Sequence, residues 1–301
     1  MSGKLESKAA RRSLMRNGWI VLLRPRIALM VALMAMLGAS LAGQPGGWTR
    51  YLEAALYVVL VTGSASVFNQ VFERETDGLM KRTAHRPLVT GELSVPAVVA
   101  YGVVLGVAGV VPMALRFNLL AALLLVVTFV AYVAVYTPLK RVSTLNTVIG
   151  AIPGAAPPLL GYVAMAGEVG PWAWCLFAVL FAWQFPHFMA IAFLYRDDYA
   201  LAGHRMLADA ESGPGVAGRQ ALLYALAIIP VSLMPFLGHV AGPVYGFGAL
   251  ALGVMYLIPA TVFALRETRQ RARLLMWSSL VYLPGLFALI LVDRWLRTQM
   301  G

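Results

Sequence analysis

Three oxygen-bearing side chains stand four residues apart in Asn69-Gln-Val-Phe-Glu73-Arg-Glu-Thr-Asp77, directly after a long apolar run. On a helix, positions i, i+4 and i+8 share one face, one above another. Oxygen ligands in such a row suit Mg²⁺, which is usually held by one or two carboxylates together with substrate phosphates. Lys81, Arg82 and Arg86 follow at once. Arginine grips phosphate oxygens bidentately and lysine supplies a point charge. A carboxylate at hydrocarbon depth is costly and is a functional candidate by default. The stretch therefore predicts a Mg²⁺–diphosphate site at the mouth of a helical bundle.

A second acidic stretch, Tyr195-Arg-Asp197-Asp198-Tyr199-Ala-Leu-Ala-Gly203-His204-Arg205-Met206-Leu207, follows another apolar run in the same way. An ordinary solvated loop has a similar composition. At equivalent depth, however, Asp197 and Asp198 could face the first stretch and share metal ions with it, with Asp198 in the better helical register. Bridged Mg²⁺ ions neutralise a diphosphate and activate it as a leaving group. Lys140, Arg141 and Arg205 add cations on the same side, whereas the run from Arg266 to Arg273 reads as a topology determinant. His85 and His204 lie in the motif loops and His239 near the opposite face. His187, in Trp183-Gln-Phe-Pro-His187-Phe, lies inside an apolar run. A neutral imidazole there can ligate iron or accept a proton, although most such histidines are hydrogen-bonded core residues.

The elements that must carry these groups are membrane helices. Of the 301 residues, 60% are hydrophobic and 12% charged, against about 25% charged in a soluble domain. Nine segments meet the roughly 20 apolar residues that span a bilayer: 20–42, 51–73, 94–114, 117–137, 145–165, 171–194, 218–239, 242–265 and 274–293. They recur along the whole chain, so residues 1–301 read as one polytopic all-α domain. The proline and glycine residues within several spans suggest kinked helices around a central cavity.

Of the 24 Lys and Arg residues, only Arg50, Arg116, Arg294 and Arg297 fall on one side of the spans; the rest share the side of both acidic stretches. Cytoplasmic loops carry the Lys/Arg excess. The N-terminus, with a polar basic tail at 1–18, is therefore expected inside and the C-terminus outside. The net charge of +11 is distributed between spans rather than over a soluble face, which argues against a nucleic-acid partner. The single cysteine, Cys175, excludes a disulfide within the chain and a cysteine metal cluster.

Asn69-x-x-x-Glu73-x-x-x-Asp77 resembles the first aspartate-rich motif of the UbiA-type intramembrane prenyltransferases. Fuller strings resemble the branch of that family that farnesylates heme b: Met80-x-Arg82-Thr83-x-x-Arg86-Pro87-Leu88, Tyr136-Thr-Pro-Leu-Lys140-Arg141, Gly150-Ala-x-Pro153-Gly154-Ala155-x-Pro157-Pro158, Trp183-Gln-Phe-Pro-His187 and Asp197-Asp198-Tyr199-x-x-x-Gly203-x-x-Met206-Leu207. The resemblance covers about residues 20 to 295. Position 73 is Glu where other branches usually have Asp, and Leu194 stands where their second motif begins with Asp.

The resemblance implies transfer of a farnesyl group from farnesyl diphosphate to the 2-vinyl group of heme b, with Mg²⁺ assisting departure of the diphosphate. It implies Asn69, Glu73, Asp77 and Asp198 as metal ligands, with Asp197 as a further candidate. Lys81, Arg82, Arg86, Lys140, Arg141 and Arg205 would contact the diphosphate, His187 the heme, and Tyr136 the allylic cation through its ring face. A bacterial inner membrane is the expected setting, with self-association or a partner in the same heme pathway compatible with it. The rivals are a relative acting on a quinone precursor or a chlorin, a secondary transporter with a carboxylate site, and a structural assembly factor.

Overall fold

The computed structural model describes residues 18–43, 47–205 and 213–300. The basic tail and the Met206-Leu207 end of the second motif lie outside them, apart from Gly18. The helices are α1 (Gly18–Leu22), α2 (Pro25–Leu41), α3 (Gly47–Phe72), α4 (Arg74–Leu79), α5 (Val95–Arg116) and α6 (Leu119–Leu139), followed by α7 (Asn146–Ala166), α8 (Pro171–Leu194), α9 (Arg196–Leu201), α10 (Val216–Leu237), α11 (Pro243–Leu265) and α12 (Arg269–Met300). No strand occurs among the described residues. Among the described residues, eight helices are long and apolar enough to cross a membrane, and α2, with 17 residues, is a shorter apolar helix. Each of the nine expected segments corresponds to one of these, and α12 runs past its expected ends on both sides.

Local signals set the ends. Proline stands at the first or second position of α2, α5, α8 and α11, where its missing N–H is unneeded. Asn118 caps α6 by accepting from the Ala121 N–H at 2.8 Å. Gly167 closes α7 with a left-handed φ of 76°, which costs glycine little.

The helices pack as two connected groups. In the first, α3 lies against α5 and α2, and α2 against α7; in the second, α8 packs on α10 and α12, with α11 between α10 and α12. The contact of α8 with α7 joins the two groups. The α2–α7 crossing is the tightest point. A Cβ on Gly38 would lie 1.8 Å from the Pro158 carbonyl oxygen, and one on Gly161 would lie 1.9 Å from that of Ala35. Small residues let the two backbones meet, and backbone approach is a main source of helix adhesion in lipid.

Interior prolines leave α7 and α8 helical throughout. The main irregularity lies in α6, whose residues Ala131–Tyr136 form a π-helical turn, with the Thr137 N–H bonded to the Tyr132 carbonyl. Pro138 follows, and its ring crowds the carbonyl four residues earlier. Such wide turns are rare and often sit at functional sites. This one presents Tyr132, Tyr136 and Thr137 beside the first acidic stretch.

Candidate active site

The chain breaks its helix at Glu73 (φ −93°, ψ 6°), between α3 and α4. The hydrogen-bond rhythm nevertheless continues. The Glu73 N–H donates to the Asn69 carbonyl at 2.9 Å, and the Asp77 N–H to the Glu73 carbonyl at 2.7 Å. The shared face inferred from spacing therefore survives the break, and all three side chains are buried, at 0%, 6% and 1% exposure. Buried charge must be paired, and each member of the row is answered from a different segment.

Asn69 accepts through Oδ1 from Arg24 Nη2 at 2.8 Å and donates through Nδ2 to Thr137 Oγ1 at 3.1 Å. Glu73 Oε1 accepts from Lys140 Nζ at 2.7 Å. Lys140 also lies 4.6 Å from the centroid of the Tyr136 ring. Asp77 Oδ2 pairs with Arg86, while its Oδ1 is buried without a partner. The turn that follows brings Arg86 back over Asp77: Thr83 Oγ1 donates to the Asp77 carbonyl at 2.8 Å, and the Arg86 N–H to the Thr83 carbonyl at 2.9 Å.

The electrostatics divide the two carboxylates. Burial pushes Glu73 up, but the Lys140 ammonium outweighs it and holds the group below the usual carboxylate range. Burial pushes Asp77 up, and Arg86 offsets this only partly. Burial pulls Lys140 down, but Tyr136 and Glu73 more than compensate, so it stays cationic.

The second acidic stretch reaches the first through its neighbours. The Arg82 guanidinium lies 5.1 Å from the Tyr195 ring and 4.5 Å from that of Tyr199. The Arg205 N–H donates to the Lys140 carbonyl at 2.8 Å, and Asn146 Nδ2 to the Arg205 carbonyl at 2.6 Å. His204 is buried beside this junction, and burial lowers its pKa to about 4. Asp198 is half-buried. Asp197 is largely exposed and pairs with Arg269 at 3.0 Å and with Arg196 at 3.7 Å. Lys81, Arg141 and Arg205 are exposed. Among the described residues, no three His, Cys, Asp or Glu side chains gather closely enough to hold a metal ion on their own.

Two carboxylates, of which Asp77 keeps one oxygen without a partner, and an amide oxygen still fit a magnesium ion whose remaining ligands would come from a diphosphate and water, the usual arrangement for that ion. The surrounding cations suit the diphosphate itself.

Sequence reasoning did not single out Arg24. It stands 45 residues before Asn69, in a left-handed conformation (φ 50°, ψ 67°) immediately before Pro25. A following proline disfavours the right-handed helical region. A basic residue before a helix-initiating proline was the available signal. Thr137 was missed as well, because only the wide turn of α6 brings it to Asn69. His187 lies within α8 and makes its side-chain contacts with Trp183, Phe188 and Ser279 rather than with these residues. Its ring stacks on Trp183 with centroids 4.9 Å apart and 15° between planes.

Comparison with known proteins places this geometry in context. The model of the UbiA prenyltransferase family matches residues 28–281. A protoheme IX farnesyltransferase of Koribacter versatilis is 40% identical over 294 residues, covering 94% of each chain. One from Solibacter usitatus is also 40% identical, covering 92% of this chain and 98% of its own. Among solved structures, a study of digeranylgeranylglyceryl phosphate synthase superposes with a TM-score of 0.78 at 15% identity, covering 92% of this chain and 97% of that one. A UbiA homologue from Archaeoglobus fulgidus bound to GPP and Mg²⁺ gives 0.62 at 16% identity, covering 91% and 99%.

Proposed function

This chain belongs to the UbiA prenyltransferase family, and we propose that within it the protein farnesylates heme b. Family and apolar helices together make it a multi-pass membrane protein. Farnesyl diphosphate loses its diphosphate to give an allylic cation, the 2-vinyl group of heme b attacks that cation, and water adds to the resulting carbocation. The products are heme O and diphosphate, with the proton from water released. Support for the acceptor comes from the relatives named protoheme IX farnesyltransferase at 35–40% identity over most of their length.

The observation that carries the reading is the buried row Asn69, Glu73 and Asp77, backed by Arg24, Lys140 and Arg86. These residues would hold magnesium, with Asp198 as a fourth ligand from the second stretch; when bound, the ion would neutralise charge on the leaving diphosphate. The chain's own groups do the rest. Arg86 and Lys140 bind phosphate oxygens as the carboxylates turn to the metal, with Arg82 and the exposed Lys81, Arg141 and Arg205 at the rim. Arg24 holds the Asn69 carbonyl oxygen in register. The Tyr136 ring, already beside a cation, lies over Gly150, where a Cβ would come within 2.5 Å of it, and its face stabilises the allylic cation. Apolar walls exclude water until the carbon–carbon bond has formed. Asp197, paired with Arg269, lies at the edge of the site. His187 contacts the porphyrin.

The charge asymmetry of the loops supports a site on the cytoplasmic face of a bacterial inner membrane, with the N-terminus inside and the C-terminus outside. The test is incubation of the purified protein with heme b, Mg²⁺ and farnesyl diphosphate, followed by mass analysis. A farnesyl-hydroxyethyl heme is expected. Prenylation of 4-hydroxybenzoate instead, or Mg²⁺-independent turnover, would overturn the reading.

A further inference from the structure

His187 sits one turn after Trp183 on α8, and both rings dock on a single residue of α12. Trp183 Nε1 donates to the Ser279 carbonyl at 2.9 Å, and His187 Nδ1 lies 2.7 Å from Ser279 Oγ. Ser279 is fully buried. Its hydroxyl also lies 2.6 Å from the Met276 carbonyl oxygen. A carbonyl can only accept, and a serine hydroxyl has one proton. That proton is committed to Met276, so Ser279 Oγ faces His187 as an acceptor and Nδ1 must carry the hydrogen. In the neutral ring the bare lone pair is then on Nε2. Nε2 has no hydrogen-bond partner among the described residues. Stacking on Trp183 fixes the ring plane, so the direction of that lone pair is fixed too.

We infer that Ser279 is a positioning residue that holds His187 in the Nδ1-protonated tautomer, so that Nε2 is offered to the iron of the porphyrin substrate. The inference rests on the heme reading above and deepens it. A histidine ligand is oriented by what its other nitrogen donates to, and loss of that partner weakens metal binding by about ten- to a hundredfold. Here the partner is a hydroxyl rather than a carboxylate. The imidazole therefore gains little anionic character and binds the iron reversibly, as suits a porphyrin that must leave as product.

The experiment uses full-length protein in detergent with ferrous heme b, read by resonance Raman spectroscopy and by heme titration. Wild type is expected to show an iron–imidazole stretching band, absent in His187→Ala. Ser279→Ala keeps the ligand but shifts the band and weakens heme affinity about tenfold; Ser279→Thr, which keeps the hydroxyl, restores both. Mg²⁺-dependent binding of farnesyl diphosphate, whose polar contacts as proposed do not include His187 or Ser279, verifies that each variant is folded. An unchanged band in His187→Ala, or in Ser279→Ala, overturns the inference while product formation by wild type leaves the farnesyltransferase reading standing. A wild type that neither binds heme nor forms product overturns both.

Discussion

The two acidic stretches follow their spans in the same way, yet the fold treats them differently. Asn69, Glu73 and Asp77 are buried, and each is met by a group from a separate segment. Asp197 and Asp198 sit on a six-residue helix with no buried residue, and Asp197 spends its charge on Arg269 at the surface. On the proposed reading, the first stretch is a preorganised site whose cations already stand where phosphate charge would arrive. The second is attached through Arg82 and Arg205, and on the same reading it is a rim that would complete the site when substrate is present. Equal spacing of motifs in sequence thus says little about equal roles; burial and pairing separate them.

If this contrast is real, the effects of substitution should fall in a definite order. Asp77→Ala removes the orphaned oxygen and a metal ligand together, and should lower the turnover of farnesyl diphosphate by about 10²-fold or more; unchanged turnover would erase the distinction. Lys140→Met leaves Glu73 buried and uncompensated, which costs about 3 kcal/mol and is read as a lower thermal midpoint in detergent. Adding Glu73→Gln should recover most of that stability without recovering activity. Arg24→Gln removes a charge but keeps a donor for Asn69, and should raise the KM for farnesyl diphosphate about tenfold, the loss of one charge-assisted contact. Asp197→Ala, in the exposed ion pair, should alter activity less than twofold.

The pH dependence sharpens the same contrast within the first stretch. As proposed, metal binding would need the Asp77 anion, and burial raises this group above the usual aspartate range. Apparent Mg²⁺ affinity should therefore fall as pH drops toward that raised value, while Glu73, held low by Lys140, stays ionised. A Mg²⁺ titration at pH 5 and pH 7.5 checks the sign; equal affinities would contradict it.

Much of this was legible in the chain itself. Among the described residues, apolar run lengths located the eight helices long enough to span and the shorter α2, and the i, i+4, i+8 rule located the buried face, because both depend on local periodicity. Arg24 and Thr137 were not legible. Their positions depend on α2 and α6 packing beside α3 and on a π turn that no local propensity announces. Helical register favoured Asp198 over Asp197, but the partner that ties Asp197 to the surface, Arg269, stands 72 residues further along and only the fold brings it there. Nothing in the sequence pairs Ser279 with His187, 92 residues earlier; the packing of α12 on α8 does.

The claim beneath all of this is that both stretches act on one diphosphate. It is tested most directly by a double-mutant cycle on Mg²⁺-dependent binding of farnesyl diphosphate, using Asp77→Asn, Asp198→Asn and the pair. The account predicts strong coupling, with the double variant little weaker than the poorer single one. Losses that simply add would mean that the two aspartates do not share a ligand.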